Sequence, residues 1–268
     1  MPIPFTLKKK YLEQLLSVGF DVLDMGSFVS PQAIPQMADT AALLEQLSDH
    51  PSPTRWLVIV ANQKGARMAV EFARVGFLGY PFSLSETFMH RNANRTIDEA
   101  LADLREIQSL CHQHQKHLVA YLSMGFGNPY GEAWSPDMVL EQVEALVEMG
   151  IGIISLSDTV ATAHDEDVEA LFARLTRAYP QVEFGAHLHA RPNAWMPKIE
   201  AAYAGGCRRF DGALKGYGGC PMAEDELVGN IPTEALLAWL KARGQAPQLN
   251  EAALQEALEL AGPVFAHA

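Results

Sequence analysis

Two histidines one residue apart, His187 and His189, stand in the apolar run FGAHLHA. In a β-strand, side chains two apart point to the same face, so both imidazoles would address one spot. Two imidazoles on one spot are a usual way to hold a metal ion. The same pair also fits a solvated strand face, or buried rings bonded to backbone. A second candidate is KGYGGCPMAEDELVGN, which runs from Lys215 to Asn230 around a single thiol, Cys220. Gly216, Gly218 and Gly219 make this stretch pliable. It suits a lid that closes over a substrate and excludes water, although an ordinary surface loop with a free cysteine has the same composition. A third cluster, CHQHQKH from Cys111 to His117, has metal-like composition. It falls at the end of a helical pattern, where His and Lys suit the negative end of the helix dipole, and it reads as a solvated face. The G-x-G of MGIGIIS leads from a helix into a strand, the reverse of the dinucleotide-binding order.

The elements that must position these groups form one alternating series. LKKKYLEQLLSVG leads into FDVLDMGSF, TAALLEQLSDHPSP into TRWLVIVAN, and KGARMAVEFARVG into FLGYPFS. TIDEALADLREIQSLCHQHQ leads into KHLVAYLSMG, SPDMVLEQVEALVEMG into IGIISLSDT, DEDVEALFARLTRAYP into QVEFGAHLH, and NAWMPKIEAAYAGG into CRRFDGAL. The first member of each pair has the 3.6-residue apolar period of a helix; the second is short and largely apolar, like a strand covered on both faces. Such alternation predicts an α/β fold with a parallel sheet. No linker divides the chain, so the expectation is one domain over 1–268, with a glycine-rich lid near 216–230 and extra helices near 232–242 and 250–261.

Seven strands are counted, and the series opens on a helix near Phe5 to Val18. A closed (β/α) barrel has eight strands. The pattern therefore fits an open sheet, or a barrel whose first strand is missing. Polar residues gather at the strand ends: Asp24 and Ser27, Asn62, Ser85 and Glu86, Ser123 and Asn128, Ser155 with Asp158 and Thr159, His187 with His189, and Asp211. In a barrel that rim holds the active site.

Bulk composition narrows the classes. The chain has 268 residues, 49% hydrophobic and 19% charged, so it can bury a sizeable core and disorder is not expected. Its formal net charge of -12 argues against non-specific nucleic-acid binding. No apolar run approaches the roughly 18 residues of a membrane span, and MPIPFTLKKKYLEQLL lacks the order of a signal peptide. Three cysteines without a C-x-x-C suggest reduced thiols in a cytoplasm.

SFVSPQAIPQM, YLSMGFGNPYGEAWSP, ISLSDT, HLH and GYGGCP…GN, in this order and spacing, resemble the hydroxymethylglutaryl-CoA lyase family of metal-dependent TIM-barrel lyases. The resemblance runs from about Pro4 to the last helices, and the GGCP lid together with SFVSP is specific to the lyase branch. It implies a (β/α) barrel here short of its first strand. It implies a divalent Mg²⁺ or Mn²⁺ held by His187, His189, Asn230 and an aspartate. It implies acid–base chemistry by Cys220, and a pocket lined by Ser27, Ser155 and Thr159 with Asp158 beside them. Asp24 stands where the family has a glutamate, one methylene longer; Asp24 or an imidazole would then aid the base step. The implied reaction cleaves 3-hydroxy-3-methylglutaryl-CoA to acetoacetate and acetyl-CoA. The implied partners are an acyl-CoA and a second copy of the chain as a homodimer, with no nucleic acid and no membrane.

The sequence departs from the family at its start. The family's first strand carries a P-R-D type motif, whose arginine neutralises developing charge and whose aspartate is the fourth protein ligand. Residues 1–20 hold neither; the first arginine is Arg55 and the first aspartate Asp21. Two expectations follow. A start upstream of Met1 is favoured because the other site positions remain in place. A chain that begins at Met1 would be inactive, or repurposed as a metal- or partner-binding barrel through an open sheet edge. A lyase or aldolase on a different 3-hydroxyacyl thioester is a further reading, since Asp24 alters the pocket.

Overall fold

A computed structural model describes residues 3–191, 193–219 and 228–266. The candidate thiol Cys220 and the central part of the 216–230 stretch lie outside the described residues. The chain folds as two compact units, one made of Met1–Gly79, Leu110–Lys116 and Glu234–Ala268, the other of Tyr80–Ser109 and His117–Thr233.

In chain order the first unit begins with α1 (Phe5–Val18), β1 (Val22–Phe28), α2 (Thr40–Leu47), β2 (Arg55–Val60) and α3 (Gln63–Val70). β3 (Val75–Ser83) runs from the first unit into the second, followed by α4 (Glu86–Ala93), α5 (Ile97–Gln113) and β4 (His117–Ser123). Then come α6 (Pro136–Glu148), β5 (Ile153–Asp158), α7 (Asp165–Ala178), β6 (Glu183–Ala190), α8 (Met196–Ala204) and β7 (Arg209–Phe210). The series closes with β8 (Gly229–Asn230), α9 (Thr233–Ala242) and α10 (Glu251–Phe265).

In the first unit β1 pairs with β2 and β2 with β3, all parallel. Trp56, Leu57, Val58 and Val60 of β2 are all buried, the mark of a parallel strand covered on both faces. Local signals set the helix limits. α1 stops at Gly19, whose φ of +85° is left-handed, and glycine adopts that conformation without steric cost. The Asn62 side chain accepts the Gly65 N–H at 2.9 Å and caps α3. A Cβ on Gly65 would sit 2.3 Å from the Phe28 carbonyl oxygen, so the glycine is what lets α3 press against β1. α10 lies on α1: the Tyr11 and Phe265 rings meet edge to face at 6.0 Å, and Asn250 N–H donates to the Val18 carbonyl at 2.9 Å.

In the second unit β4, β5, β6 and β7 pair in succession and in parallel. The end of β3 is tied to the end of β4, because the Ser83 hydroxyl and Leu84 N–H both donate to the Ser123 carbonyl. α6 opens with the Ser135 cap and Pro136, and the first turn of α7 carries Asp165, Glu166 and Asp167; acidic groups suit that end of a helix dipole. Cys111 in the first unit and Cys207 in the second are free thiols, and burial pushes both up to about 12.

Seven parallel strands, in sheet order equal to sequence order, stand where the alternating pattern predicts them, each followed or preceded by its helix. The α/β expectation holds, with α9 and α10 as the extra C-terminal helices. Two elements were absent from the sequence reading. α4 is short and polar, and begins at a Ser85 cap that resembles a turn. β8 has two residues, too few to show a period, and pairs antiparallel with β6. Among the described residues no helix is long and apolar enough to cross a membrane.

Candidate functional site

β6 supplies the centre of the site. Residues 183, 185, 187 and 189 alternate onto one face, so His187 and His189 stand side by side with ring centroids 5.4 Å apart. The two rings differ in setting. His187 is partly exposed, packs edge to face on Tyr121 of β4 at 5.2 Å, and shares a hydrogen bond with Asp211 between Nδ1 and Oδ2 at 3.2 Å. A carboxylate on Nδ1 leaves Nε2 with its lone pair free to face a ligand. His189 is 4% exposed. Burial, and then the neighbouring His187, push its pKa down to about 3. It is therefore neutral at ordinary pH, the state a metal ligand needs. Its ring bonds the Thr159 backbone, while its Nδ1 is buried without a hydrogen-bond partner. A buried polar atom left without a partner is costly unless something absent from the chain satisfies it.

Asn230 enters through β8, where it stands directly opposite His189 in the antiparallel pair. Its Nδ2 donates to the Tyr217 carbonyl at 2.8 Å, which leaves Oδ1 as the acceptor on the other side of the amide. Glycines of the candidate lid make this fit possible. A Cβ on Gly218 would lie 2.7 Å from Asn230 Nδ2, one on Gly216 would lie 2.9 Å from its carbonyl oxygen, and both glycines have left-handed φ. The donor set on offer is two imidazoles and one amide oxygen, which fits a divalent cation such as Mn²⁺ or Mg²⁺. Among the described residues no group of three His, Cys, Asp or Glu is gathered for a metal; the amide of Asn230 lies outside those residue types.

The other expected residues take distinct settings. Ser155, on β5 opposite Gly185, is fully buried and its hydroxyl has no partner. The Thr159 hydroxyl accepts the Met124 N–H at 3.0 Å, which fixes the β4 and β5 ends together. Asp158 is 1% exposed. Its two oxygens take the N–H groups of Thr162 and Ala163 and the ammonium of Lys198 from α8. Burial holds this carboxyl above its usual range, with Lys198 pulling it back. Lys198 also reaches the His189 carbonyl at 3.4 Å, so one buried ion pair ties the β5–α7 loop to the strand that carries the histidines. In the first unit, Asp24 is exposed and its Oδ1 accepts the Gly26 N–H at 3.0 Å at an irregularity in the β1–β2 register. Ser27 is buried, and its hydroxyl has no partner.

Sequence reasoning missed Lys198 and Tyr121. The one signal for Lys198 was a cation in the apolar helix MPKIEAAYA, at a position flanked by the buried Ile199, Ala201 and Ala202. The cluster from Cys111 to His117 follows its solvated reading, with His112, His114 and His117 exposed and Cys111 turned into the core.

Glu132, in the loop after β4, braces the first turn of α4. Its Oε1 accepts from Thr87 N–H at 3.0 Å and from the Thr87 hydroxyl at 2.6 Å. Burial pushes its pKa up, but bonds from Ser85 and Thr87 outweigh burial and hold it below the usual range. A carboxyl depressed in the folded state stabilises above its unfolded pKa, about 4.3, and that contribution is lost as pH falls through the folded value. The variant Glu132→Gln is expected to be less stable than the wild type at pH 7, with the gap closing below about pH 4. Urea midpoints measured from pH 7 to pH 3 check this.

Seven parallel strands alternating with helices, with paired imidazoles at the end of the sixth, define an α/β protein of the TIM-barrel class. The chain belongs to the HMGL-like family, whose profile matches residues 2–261. It is 29% identical over 242 residues to the cytoplasmic 3-hydroxy-3-methylglutaryl-CoA lyase of Rattus norvegicus, covering 90% of this chain and 70% of that protein. It is also 29% identical to a Pseudomonas aeruginosa lyase named for 3-hydroxy-3-isohexenylglutaryl-CoA and hydroxymethylglutaryl-CoA, covering 88% of this chain and 78% of that one. A solved HMG-CoA lyase from Acinetobacter baumannii, in complex with coenzyme A and 3-methylmalate, superposes with a TM-score of 0.90 at 29% identity. That match covers 99% of this chain and 86% of the other.

Proposed function

We propose that this chain is a divalent-metal-dependent carbon–carbon lyase that cleaves 3-hydroxy-3-methylglutaryl-CoA to acetoacetate and acetyl-CoA. The observation that carries the reading is the placement of two neutral-capable imidazoles and an amide on adjacent strand positions, one of them with a buried, unpartnered nitrogen, in a chain of the HMGL-like family. His187, His189 and Asn230 would hold the cation, which supplies Lewis acidity that lowers the pKa of the substrate's tertiary hydroxyl. Asp211 keeps the His187 ring turned, and the Lys198–Asp158 pair keeps the His189 backbone in register. The Ser155 and Thr159 hydroxyls stand beside them on and after β5, with hydroxyl groups suited to substrate oxygens. A base takes the hydroxyl proton, the bond between the carbinol carbon and the thioester α-carbon breaks, and its electron pair passes into the thioester as an enolate. A proton then returns to that α-carbon. Cys220 is assigned the proton transfer near the enolate, Asp24 or an imidazole a part in the base step, and Ser27 a pocket position, on the strength of the family resemblance.

The name of the Pseudomonas relative favours a second reading, a lyase for a longer branched glutaryl thioester. The shorter Asp24, in place of a glutamate, would fit an altered pocket. The test is an assay of the purified chain with Mn²⁺ or Mg²⁺ against an EDTA control, on both thioesters, with acetyl-CoA as the readout. Metal-stimulated cleavage of the methyl substrate is expected; cleavage of the longer one alone selects the second reading. No turnover on either, with either metal, would overturn the lyase assignment.

A further inference from the structure

The face of β6 that carries the histidine pair passes, two residues before His187, through Gly185, which has no side chain. Two neighbours fill the place of that side chain. A Cβ on Gly185 would lie 2.6 Å from Ser155 Oγ, 2.9 Å from Arg209 Cδ and 3.3 Å from Arg209 Cγ. The register explains the meeting, since Gly185 pairs with Ser155 of β5 and with Arg209 of β7. Arg209 is anchored along β6: its Nη1 donates to Glu183 Oε1 at 2.7 Å, and its side chain is 14% exposed. On the β4 side, Tyr121 pairs with Ser155, and its ring meets the His187 ring edge to face at 5.2 Å. The layer beneath the histidines is thus filled with side chains, and it is polar. Arg209 Nε and the hydroxyls of Ser155 and Ser157 are buried without hydrogen-bond partners. Ser157 stands opposite His187 in the β5–β6 register and shares a strand face with Ser155.

We propose that Arg209, laid across Gly185, is a specificity-determining residue: it forms a charged floor one layer below the histidine pair and limits the branch on the substrate's carbinol carbon to a short group such as methyl. The inference rests on the lyase reading, in which the carbinol is held at His187 and His189. One layer is two residues of strand, about 6.5 Å. A branch of several carbons directed along β6 therefore reaches Arg209, while a methyl does not. At that depth the branch meets a guanidinium and two hydroxyls instead of apolar side chains. Covering those three polar atoms with hydrocarbon denies them water and offers no hydrogen bond in its place. Steric and polar rejection act on the same group. A single methylene that a pocket cannot accommodate is already worth about 10–200-fold in kcat/KM.

The experiment compares the wild type with Arg209→Ala on 3-hydroxy-3-methylglutaryl-CoA and on homologues that carry propyl or hexyl in place of the methyl. Mn²⁺ is supplied, and acetyl-CoA is the readout. The wild type is expected to lose at least about 100-fold in kcat/KM from methyl to hexyl. Arg209→Ala is expected to shrink that ratio by about tenfold or more, mainly through a lower KM for the hexyl thioester. Arg209→Val replaces the alanine variant if that one does not fold, since valine suits a strand. A loss of turnover that is equal on all three thioesters makes Arg209 structural and overturns the inference. So does a wild type that cleaves the hexyl thioester as well as the methyl one. If the wild type cleaves none of them, the lyase reading fails alone, and titration calorimetry of the same intact thioesters decides the inference. A methyl-over-hexyl preference in affinity that collapses in Arg209→Ala supports the floor; an unchanged preference, or binding of none of the three, sinks it.

Discussion

Replacing His189 by alanine is expected to lower metal-stimulated turnover of 3-hydroxy-3-methylglutaryl-CoA on the order of 10²–10³-fold. The size follows from losing one of three proposed protein ligands, and with it part of a Lewis-acid contribution of several kcal/mol, where each 1.36 kcal/mol is about tenfold in rate. The ring contributes little else that a solvent-exposed group would. It is buried, neutral and has one nitrogen without a partner in the chain. Steady-state kinetics at saturating Mn²⁺, with circular dichroism to confirm the fold, make the measurement. A variant within about tenfold of wild type would remove His189 from the ligand set, since a metal contribution of that size cannot be lost so cheaply.

Lys198→Met is expected to cost about 3–5 kcal/mol of folding stability, because it strands a buried carboxylate. Asp158 and the Lys198 side chain are both almost wholly buried. Removing the ammonium leaves Asp158 with only the Thr162 and Ala163 N–H groups for its charge. Native proteins are stable by about 5–15 kcal/mol in total, so the variant should be near the edge of folding at 37 °C. Urea unfolding at pH 7 gives the difference directly. The pair Asp158→Asn with Lys198→Met removes both charges and should recover much of the loss, as replaced buried ion pairs generally do. A single variant within about 1 kcal/mol of wild type would mean that water reaches the carboxylate.

Much of the site was legible because its carriers are periodic. β6 reads as a strand from EFGAHLHA, and a period of two places His187 and His189 on one face without further information. Asn230 was legible as a residue type at the end of a glycine-rich stretch, yet its strand was not. Two residues, Gly229 and Asn230, have no period, and only the edge of β6 gives them a partner. Lys198 was invisible for a different reason. Its meaning lies in Asp158, 40 positions earlier, and no local propensity links the two. Asp211 was placed on the rim, but its bond to His187 depends on the β6–β7 register, which one sequence does not fix. Asp24 shows the opposite case. Its role was taken from the family resemblance, and its setting, an exposed carboxylate closing a turn onto Gly26, comes from the irregular β1–β2 register.

The clasp between α1 and α10 bears on the order in which the chain can be made. The first unit is not continuous: residues up to Gly79 share it with the segment that starts at Glu234. On the ribosome, Tyr11 and Gln14 of α1 are synthesised long before Phe265 and Ala253 of α10 exist to meet them. The second unit, Tyr80–Ser109 and His117–Thr233, is complete in sequence before the segment that starts at Glu234 is made. Nascent chains therefore pass through a stage in which the strands of the second unit are complete and the face of α1 that meets α10 is uncovered. Such a stage calls on chaperones and makes yield sensitive to translation speed. Loss of the last two helices would leave the histidine strand intact in sequence while making that vulnerable stage permanent.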